Sequence, residues 1–310
     1  MENTLLSEIV LATVFSLIVL VGILGNTIVC IVIMRKRFRI QFTHGKTAMD
    51  YLLVNLAVSD ILSAVFVIPR YIVIHAYRHP RDLPGDILCR VVTGGSLIWV
   101  GGAASVFTLL VIAVDRYHAV VQPHSLRHRI ALKRIPCVVI SCWITSLVLC
   151  IPLFFVMTYD KKQDFCTESW PDTLLPKAYG IVWLLYGGLP IPIMGYFYFK
   201  IIQVLWFERQ AVIKTQQQAK SSMVLLTRRK ACKLSITVTV AYSICWLPIL
   251  VLYILATITP PRIEYGSPEY KISVAMACLN SSVNPFVYAL QSQRFRRCVK
   301  GLLRCQQQMS

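Results

Sequence analysis

Asp60 is an acidic residue inside a long apolar stretch, Tyr51–Pro69, which contains no other charged residue. A charge in the middle of a membrane is costly, and such residues usually serve a function. Polar side chains in other apolar stretches offer it oxygen partners: Ser105, Asn280, Ser281 and Asn284. Because hard cations prefer oxygen ligands, this set could hold a hydrated sodium ion. A network of hydrogen bonds between helices, with Asp60 protonated, explains the same residues equally well.

Asp115-Arg116-Tyr117 sets an acid beside a base at the end of another apolar stretch, Val91–Val114. At a wet helix end, this pair could be a local salt bridge that contributes little to stability. Alternatively, Arg116 could be a partly buried cation that exchanges one partner for another. The residue types alone leave both interpretations open.

Long apolar helices must position these residues. The 310 residues are 56% hydrophobic and 15% charged, with a mean hydropathy of +0.62, whereas soluble domains carry about 25% charged residues. A bilayer core about 30 Å thick needs about 20 apolar residues, which must be helical to satisfy their own backbone. Seven stretches meet this test. We therefore expect an all-α membrane protein, a single seven-transmembrane helix bundle with spans at about 8–34, 47–74, 88–117, 135–158, 177–206, 228–258 and 270–291.

Lysine and arginine residues indicate the direction of the spans, because cytoplasmic loops carry an excess of them. Segments 35–46, 116–134, 200–233 and 294–304 lie on one side of an alternating bundle and hold 23 of the 32 basic residues. We expect a multi-pass plasma-membrane protein with its N-terminus outside and its C-terminus inside. Since the basic residues occur in short bursts beside the spans, they favour contact with membrane lipids over binding of nucleic acid.

The cysteines include one pair that this topology places near the extracellular face, Cys89 and Cys166, out of eleven in all. That compartment is oxidising, so we predict a disulfide between them. After the last span, a basic amphipathic stretch predicts a short eighth helix at about 293–304 along the inner leaflet. Its cysteines, Cys298 and Cys305, are candidates for palmitoylation, and free thiols explain them equally well.

Sequence motifs follow one another through all seven spans. They are Gly25-Asn26, Leu56-Ala57-Val58-Ser59-Asp60, Asp115-Arg116-Tyr117, Trp143, Pro190 with Tyr198, Cys245-Trp246-Leu247-Pro248 and Asn284-Pro285-Phe286-Val287-Tyr288. On these residues the chain resembles a rhodopsin-like (class A) G-protein-coupled receptor, of the neuropeptide-receptor type. The resemblance covers almost the whole chain, and the seven markers together are far more specific than any one of them.

This resemblance implies a role for the polar residues inside the spans. Asp60 would centre a sodium site, and no other cofactor is expected. Trp246 would lie under the ligand pocket, beside the Pro248 kink, and couple ligand binding to an outward movement of the sixth helix. The other members of the implied sodium site are Ser105, Asn280, Ser281 and Asn284.

The resemblance also implies an activation switch at the Asp115 end of the bundle. On activation Arg116 would leave Asp115 and meet Tyr198 and Tyr288, which would open a cleft for a heterotrimeric G protein, with arrestin as a further expected partner. The whole implied switch consists of Asp115, Arg116, Tyr117, Tyr198, Trp246, Pro248, Asn284, Pro285 and Tyr288.

Three departures from the family pattern are visible. Tyr242 stands where the family usually has Phe, one turn before Trp246, and Arg228 stands near the position where some members carry an acid that locks Arg116. We therefore expect a differently tuned switch without that lock. The interval from Cys89 to Arg116 is two residues longer than usual, so the register at the start of the third span is undetermined.

The ligand is constrained mainly by what the spans lack. The third span has no acidic residue between Cys89 and Asp115, so the carboxylate of aminergic receptors is absent, and Cys278 stands where opsins carry the retinal lysine. A neuropeptide ligand is the leading expectation, with a lipid or another non-amine small molecule as the alternative. Acidic residues after the fourth span could steer a basic peptide, but a solvated mixed-charge loop explains them better: Asp160, Asp164, Glu168 and Asp172.

Two other classes of membrane protein also contain long apolar helices, secondary transporters and membrane enzymes. A secondary transporter could use Asp60 as an ion-coupling site, but transporters usually carry internal repeats, and the sequence shows none. A membrane enzyme would need a nucleophile with its base, or a metal cluster, and the six histidines all fall near loops without metal-ligand spacing. We expect a receptor and no enzyme.

Overall fold

The described part of the computed structural model consists of residues 2–34, 47–76, 79–80, 82–122, 130–161, 164–215, 219–258 and 267–291, with residues 295, 296 and 299. The expected eighth helix falls almost wholly outside these residues, as do both candidate palmitoylation sites, Cys298 and Cys305. Arg228 lies in a described helix, but its side chain is outside the description.

The chain forms ten α-helices within these ranges. They are α1 (Glu2–Met34), α2 (Ala48–Val67), α3 (Asp82–Leu88), α4 (Ser96–Val121), α5 (Ile135–Cys150), α6 (Leu153–Val156), α7 (Leu174–Gly188), α8 (Pro190–Thr215), α9 (Ala219–Ile258) and α10 (Pro268–Gln291). Two π-helical turns, Ile68–Ile72 and Cys89–Thr93, follow α2 and α3. Short 3-10 turns are Val73–Ala76 and Leu132–Arg134. An antiparallel hairpin joins β1 (Met157–Asp160) to β2 (Phe165–Glu168).

Six helical stretches of the described chain are long and apolar enough to cross a bilayer. They are Leu6–Met34, Ala48–Ile72, Asp82–Val121, Leu132–Val156, Leu174–Phe207 and Cys232–Thr257. The seventh span is α10, whose hydropathy is lower because four polar residues, Asn280, Ser281, Ser282 and Asn284, face the interior and are buried. The first four spans are thus α1, α2, α4 and α5. The fifth span consists of α7 and α8 together, the sixth is α9, and the seventh is α10.

The helices pack as a closed bundle whose outer surface is apolar. Helix α1 contacts α2 and α10, α4 contacts α2, α5 and α8, and α9 contacts α7, α8 and α10. On α1 the outward-facing Leu17, Leu20 and Leu24 are 58%, 55% and 56% exposed, whereas Phe15 and Val29 are buried. An exposed apolar face of this extent is stable in lipid and unfavourable in water.

Pro285 shapes the contact between α1 and α10. Proline has no backbone N–H, so the carbonyl of Ser281, four residues earlier, loses its helical donor. The amide nitrogen of Asn26 supplies one instead, at 2.8 Å from that carbonyl oxygen. A Cβ on Gly25 would lie 2.6 Å from Cγ of Pro285, so glycine is required for this close approach. The Gly25-Asn26 pair therefore accommodates the proline of the seventh span.

The third span is interrupted where its register could not be assigned from the sequence. After the π-helical turn Cys89–Thr93, Gly95 adopts a φ of +85°, and α4 begins at Ser96. A Cβ on Gly94 would lie 2.0 Å from the carbonyl oxygen of Cys89, so the turn requires glycine there. The guanidinium of Arg70 donates to the carbonyl of Thr93 at 2.9 Å. The two residues by which the interval from Cys89 to Arg116 exceeds the usual family spacing therefore lie before Ser96, and α4 continues through Arg116 without interruption.

Candidate functional site

A small cavity lies between the spans on the side where Cys89 is found, here called the central cavity. Residues from α4, α6, β2, α7, α9 and α10 line it: Trp99, Leu153, Glu168, Trp183, Trp246, Ile249, Leu250, Tyr253 and Tyr270. Pockets for small ligands are mostly apolar, with a few polar groups that fix orientation. The lining is aromatic and aliphatic apart from Glu168.

Trp246 lines the inner part of this cavity and contacts two other aromatic rings. Its ring centroid lies 6.1 Å from that of Trp99 and 5.6 Å from that of Tyr242. Gly102 allows the indole to lie directly against α4, because a Cβ at this position would come within 2.8 Å of it. Pro248 lies inside α9, two residues after Trp246. A group that enters the cavity therefore contacts α9 beside its proline.

The β-hairpin forms one wall of the cavity and is fixed by a disulfide between Cys89 and Cys166, as predicted. In the hairpin register Cys166 lies opposite Tyr159, whose backbone N–H donates to Asp86 at 2.9 Å. The ring of His79 stacks on that of Tyr159 with centroids 4.4 Å apart. The hairpin is thus attached at several points to α3 and the π-helical turn.

Glu168 is a site residue whose place the sequence did not indicate. Its carboxylate accepts hydrogen bonds from the Tyr253 hydroxyl at 3.1 Å and from the Trp170 indole at 2.8 Å. The expectation of a solvated loop holds for Asp164 and Asp172, which are exposed, but was wrong for Glu168. The reason is the disulfide, which holds β2 against the bundle, so that Glu168, two residues after Cys166, lines the cavity.

Asp60 lies at the centre of a buried hydrogen-bond cluster between α2, α4 and α10. Ser105 and Ser281 donate to its Oδ1 at 3.2 Å and 3.0 Å, and Asn284 donates to its Oδ2 at 2.7 Å. The structure therefore brings three of the four predicted partners onto the carboxylate. No hydrogen bond joins Asn280 to Asp60 within the described part of the chain.

Asn280 instead lines a second small cavity, here called the polar cavity. Trp99 and Trp246 line both the polar cavity and the central cavity, and therefore lie between the two cavities. Two buried polar atoms of its lining have no hydrogen-bond partner, Oδ1 of Asn280 and Nε1 of Trp246, and the same holds for Oδ1 of Asn284, beside Asp60. Such atoms normally bind ordered water or an ion.

The Asp115 end of the bundle holds the other predicted switch residues. Nη2 of Arg116 lies 2.5 Å from Oδ2 of Asp115, and both side chains are mostly buried. Tyr198 accepts a hydrogen bond from Thr239 at 3.2 Å, while the hydroxyl of Tyr288 is buried without a partner. Neither tyrosine is hydrogen-bonded to Arg116 in the described contacts. Tyr117 follows Asp115 and Arg116 in the motif, and its ring centroid lies 5.1 Å from that of Phe197 on α8.

Asn55 is a further polar residue that the sequence analysis missed. Its amide nitrogen donates to Thr108 at 2.8 Å, and its amide oxygen accepts from the Trp143 indole at 3.0 Å. It therefore links α2, α4 and α5. The available signal was an asparagine five residues before Asp60 inside an apolar helix, which is too common in membrane spans to identify a junction.

Comparison with known proteins gives the family. Residues 25–288 match the family model of the seven-transmembrane receptors of the rhodopsin family. The chain belongs to this family. The matched range begins at the glycine of the first motif and ends at Tyr288, the last residue of the final motif. This receptor is therefore a multi-pass membrane protein with seven spans, as predicted, and its family is one of receptors, neither transporters nor enzymes.

Several individual receptors are similar over nearly the whole chain. A QRFP-like peptide receptor of Branchiostoma floridae is 28% identical over 302 residues, 94% of this chain and 76% of the relative. Galanin receptor type 1 of Homo sapiens is 28% identical over 304 residues, 94% of this chain and 81% of the relative. A tachykinin-like peptides receptor, 86C, of Drosophila melanogaster is 29% identical over 311 residues, 95% of this chain and 58% of the relative.

Proposed function

We propose that this receptor binds an extracellular peptide and activates a heterotrimeric G protein. The observation that carries the proposal is the central cavity, whose lining includes Trp246 on α9. A ligand group in this cavity contacts α9, the sixth span, whose outward movement is the activating step in our proposal. The names of the similar proteins, receptors for QRFP-like, galanin and tachykinin-like peptides, support a peptide as the ligand.

The mechanism is a bias between two arrangements of the bundle. A ligand that fits the cavity better when Trp246 and α9 have moved stabilises the moved arrangement. Arg116 then leaves Asp115 for Tyr198 and Tyr288, and the G protein binds the cleft that opens. Because the coupling is reciprocal, G-protein binding raises the affinity for the ligand by the same factor.

The orientation in the plasma membrane belongs to the same proposal. The N-terminus and the central cavity face outward, and the Asp115 end faces the cytoplasm. The 23 of 32 basic residues in the loops of that end support this direction. Arrestin binding at the same end, and attachment of Cys298 and Cys305 to membrane lipids, extend the proposal to residues outside the described ones.

The residues around Asp60 fit a hydrated sodium ion. The carboxylate is fully buried, and the amide oxygens of Asn280 and Asn284 nearby have no hydrogen-bond partner. A buried carboxylate with free oxygen acceptors and hydroxyl groups is a set that suits a hard cation. Ser105 and Ser281 would turn their hydroxyl oxygens toward the ion, whose charge would stabilise the ionised Asp60.

A lipid or another small molecule is the second candidate ligand. The small volume and aromatic lining of the central cavity favour it, since the cavity holds no more than a few side chains. The experiment is a peptide panel and a lipid panel applied to cells that express this chain with a promiscuous G protein. We expect the peptide panel to raise nucleotide exchange on the G protein in the native receptor and not in Arg116→Ala. A response to lipids alone would overturn the peptide assignment.

A further inference from the structure

We infer that two threonines of the sixth span, Thr237 and Thr239, hold α9 in its resting position by hydrogen bonds to the seventh and the fifth spans. The pair is here called the threonine latch. It lies on the inner half of α9, the part that precedes Trp246 in the chain. The inference rests on the proposed function and specifies its regulation, because α9 is the helix that moves outward in that proposal.

The sequence of α9 leaves no carboxylate to restrain it. The helix runs from Ala219 to Ile258 and contains neither aspartate nor glutamate. No side chain of α9 can therefore form a salt bridge with Arg116, which pairs with Asp115 of its own helix. Neutral hydrogen bonds to the neighbouring spans are the polar contacts that remain for restraining its inner half.

Thr239 joins α9 to the fifth span. Its hydroxyl donates to the hydroxyl of Tyr198 on α8 at 3.2 Å, and it lies 3.8 Å from the sulfur of Met194. Thr239 and Tyr198 are each 5% exposed, and hydrogen bonds in such a low-dielectric interior are stronger than in water. Tyr198 is also the side chain that Arg116 meets in the moved arrangement. The Thr239 bond therefore holds Tyr198 in the resting arrangement.

Thr237 joins α9 to the seventh span. The side-chain nitrogen of Gln291, the last residue of α10, donates to the Thr237 hydroxyl at 2.8 Å. That hydroxyl donates its one proton to the carbonyl of Lys233 at 2.9 Å, which leaves its oxygen to accept from Gln291. The hydroxyl is thus fixed as the acceptor of the bond between the two spans.

The two threonines restrain α9 from opposite sides. Residues two positions apart on an α-helix differ by about 200° around its axis. Thr239 accordingly meets α8, and Thr237 meets α10. An outward movement of the inner half of α9 takes it away from both neighbours at once, so both bonds must break.

The Gln291 side chain lowers the cost of opening on the seventh-span side. Its amide oxygen is buried without a hydrogen-bond partner, a state that costs free energy in the resting arrangement. When α9 moves away, the amide becomes open to water, and its oxygen gains the partner that it lacks. Part of the free energy lost with the Thr237 bond is regained in this way.

The test follows the position of α9 by two readouts on the full chain in lipid nanodiscs. The first is the rate at which a thiol reagent labels Cys232, a native cysteine on the inner half of α9 that is 2% exposed, measured by mass spectrometry without a G protein. The second is basal nucleotide exchange on an added heterotrimeric G protein. The variants are Thr237→Val, Thr239→Val and Gln291→Leu, which replace a hydrogen-bonding side chain by an apolar one of similar size.

We expect Thr237→Val and Thr239→Val each to raise both rates about threefold, the average effect of one hydrogen bond between membrane helices. The two effects should multiply when combined, because the bonds lie on different sides of α9. Thr237→Val with Gln291→Leu should add nothing to either change alone, because both remove the same bond. Thr237→Ser and Thr239→Ser keep the hydroxyl and should stay at the native rates.

Thr145→Val is the matched control. Thr145 is an exposed residue of α5 whose hydroxyl donates to the carbonyl of Ser141 within its own helix. The same substitution there removes the same group without affecting α9, so both rates should equal the native ones. A rise in Thr145→Val as large as in the latch variants would show general loosening of the bundle, and the inference would be wrong.

The two readouts separate this inference from the proposed function. If Cys232 labelling rises in both valine variants while neither they nor the native receptor promote nucleotide exchange, the latch is supported and coupling to the G protein is contradicted. If the native receptor promotes exchange and neither rate rises in Thr237→Val or Thr239→Val, the latch is contradicted and the proposed function stands. Labelling that rises equally in the serine variants also contradicts the latch, since these keep both bonds.

Discussion

The side-chain amide nitrogen of Asn284 lies 2.7 Å from Oδ2 of Asp60, and this hydrogen bond joins α10 to α2 one residue before Pro285. The Asp60 cluster is therefore attached to α10 directly beside its proline. A change in the course of α10 at this proline would alter the distance between these two side chains. Ligands of Asp60 and movements of α10 are for this reason expected to influence each other.

Asp60→Asn tests the sodium proposal. Without the negative charge, the site should no longer favour a sodium ion, so the variant should have the same Tm in sodium chloride and in choline chloride. For the native receptor, sodium at ten times its Kd contributes about 1.4 kcal/mol, a rise of about 2–4 °C in Tm. Ser59→Ala is the control, since that hydroxyl bonds only to its own helix in the described contacts. Equal sodium sensitivity of native receptor and Asp60→Asn would refute the proposal.

Asp115→Asn tests whether Asp115 restrains Arg116. Loss of the carboxylate weakens the 2.5 Å contact, which we expect to contribute about 1 kcal/mol to the resting arrangement. Basal nucleotide exchange should then rise about fivefold, because 1.4 kcal/mol corresponds to about tenfold. Lys133→Gln, an exposed residue at the same end, should leave basal exchange unchanged. The interpretation fails if basal exchange is the same in Asp115→Asn.

Tyr242→Phe tests the first of the departures from the family pattern. The Tyr242 hydroxyl donates to the carbonyl of Gly187 at 2.7 Å and so joins α9 to α7. Phenylalanine keeps the ring against Trp246 and removes a hydrogen bond of about 1 kcal/mol, so α9 should move more readily. We expect a lower ligand concentration for half-maximal exchange, by about fivefold.

The control for that substitution is Tyr186→Phe, which also removes one buried hydroxyl. Tyr186 donates to the carbonyl of Ala103 at 2.6 Å and joins α7 to α4, without involving α9. It should lower the Tm and leave ligand potency unchanged. If both variants change potency equally, the effect reflects general loosening of the bundle and not release of α9.

Asn55→Ala tests the junction of α2, α4 and α5. The variant loses the bonds to Thr108 and Trp143, and each hydrogen bond between membrane helices contributes about 0.6 kcal/mol on average. Leaving the Trp143 indole unsatisfied adds to the cost, so we expect a free energy of unfolding about 1–2 kcal/mol lower. Trp143→Phe removes one bond only and should have the smaller effect. An unchanged Tm in Asn55→Ala would show that the junction adds nothing to stability.

The sequence was sufficient for the spans and for the identity of the buried polar residues, because both depend on local composition. It could not determine which of those residues touch. Asn280 and Asn284 are four positions apart on α10, and Ser281 and Asn284 three, so helix spacing places all of them near one face, yet Asn284 and Ser281 donate to Asp60 and Asn280 does not in the described contacts. Which side of α10 meets Asp60 is decided by packing on α1 and α2, which the pattern of α10 alone does not contain.

Glu168 shows a second limit of the sequence. By composition it belongs to a loop with three other acids and two lysines, and such loops are usually solvated. Its place depends on a disulfide between residues 77 positions apart and on the hairpin register. The disulfide could be predicted, but the register of the hairpin could not, and a shift of one residue would turn Glu168 to the opposite face.

The glycine pair at the start of α4 has a consequence for how this chain is aligned with other receptors. An alignment anchored on Cys89 would shift every residue of α4 by two positions, which is about 200° around a helix. Trp99, which lines the central cavity, would then be equated with the position of Gly101, which is buried against Ser63 of α2. The alignment gap belongs between Cys89 and Ser96, and contact positions transferred from one receptor to another should be counted backwards from Arg116.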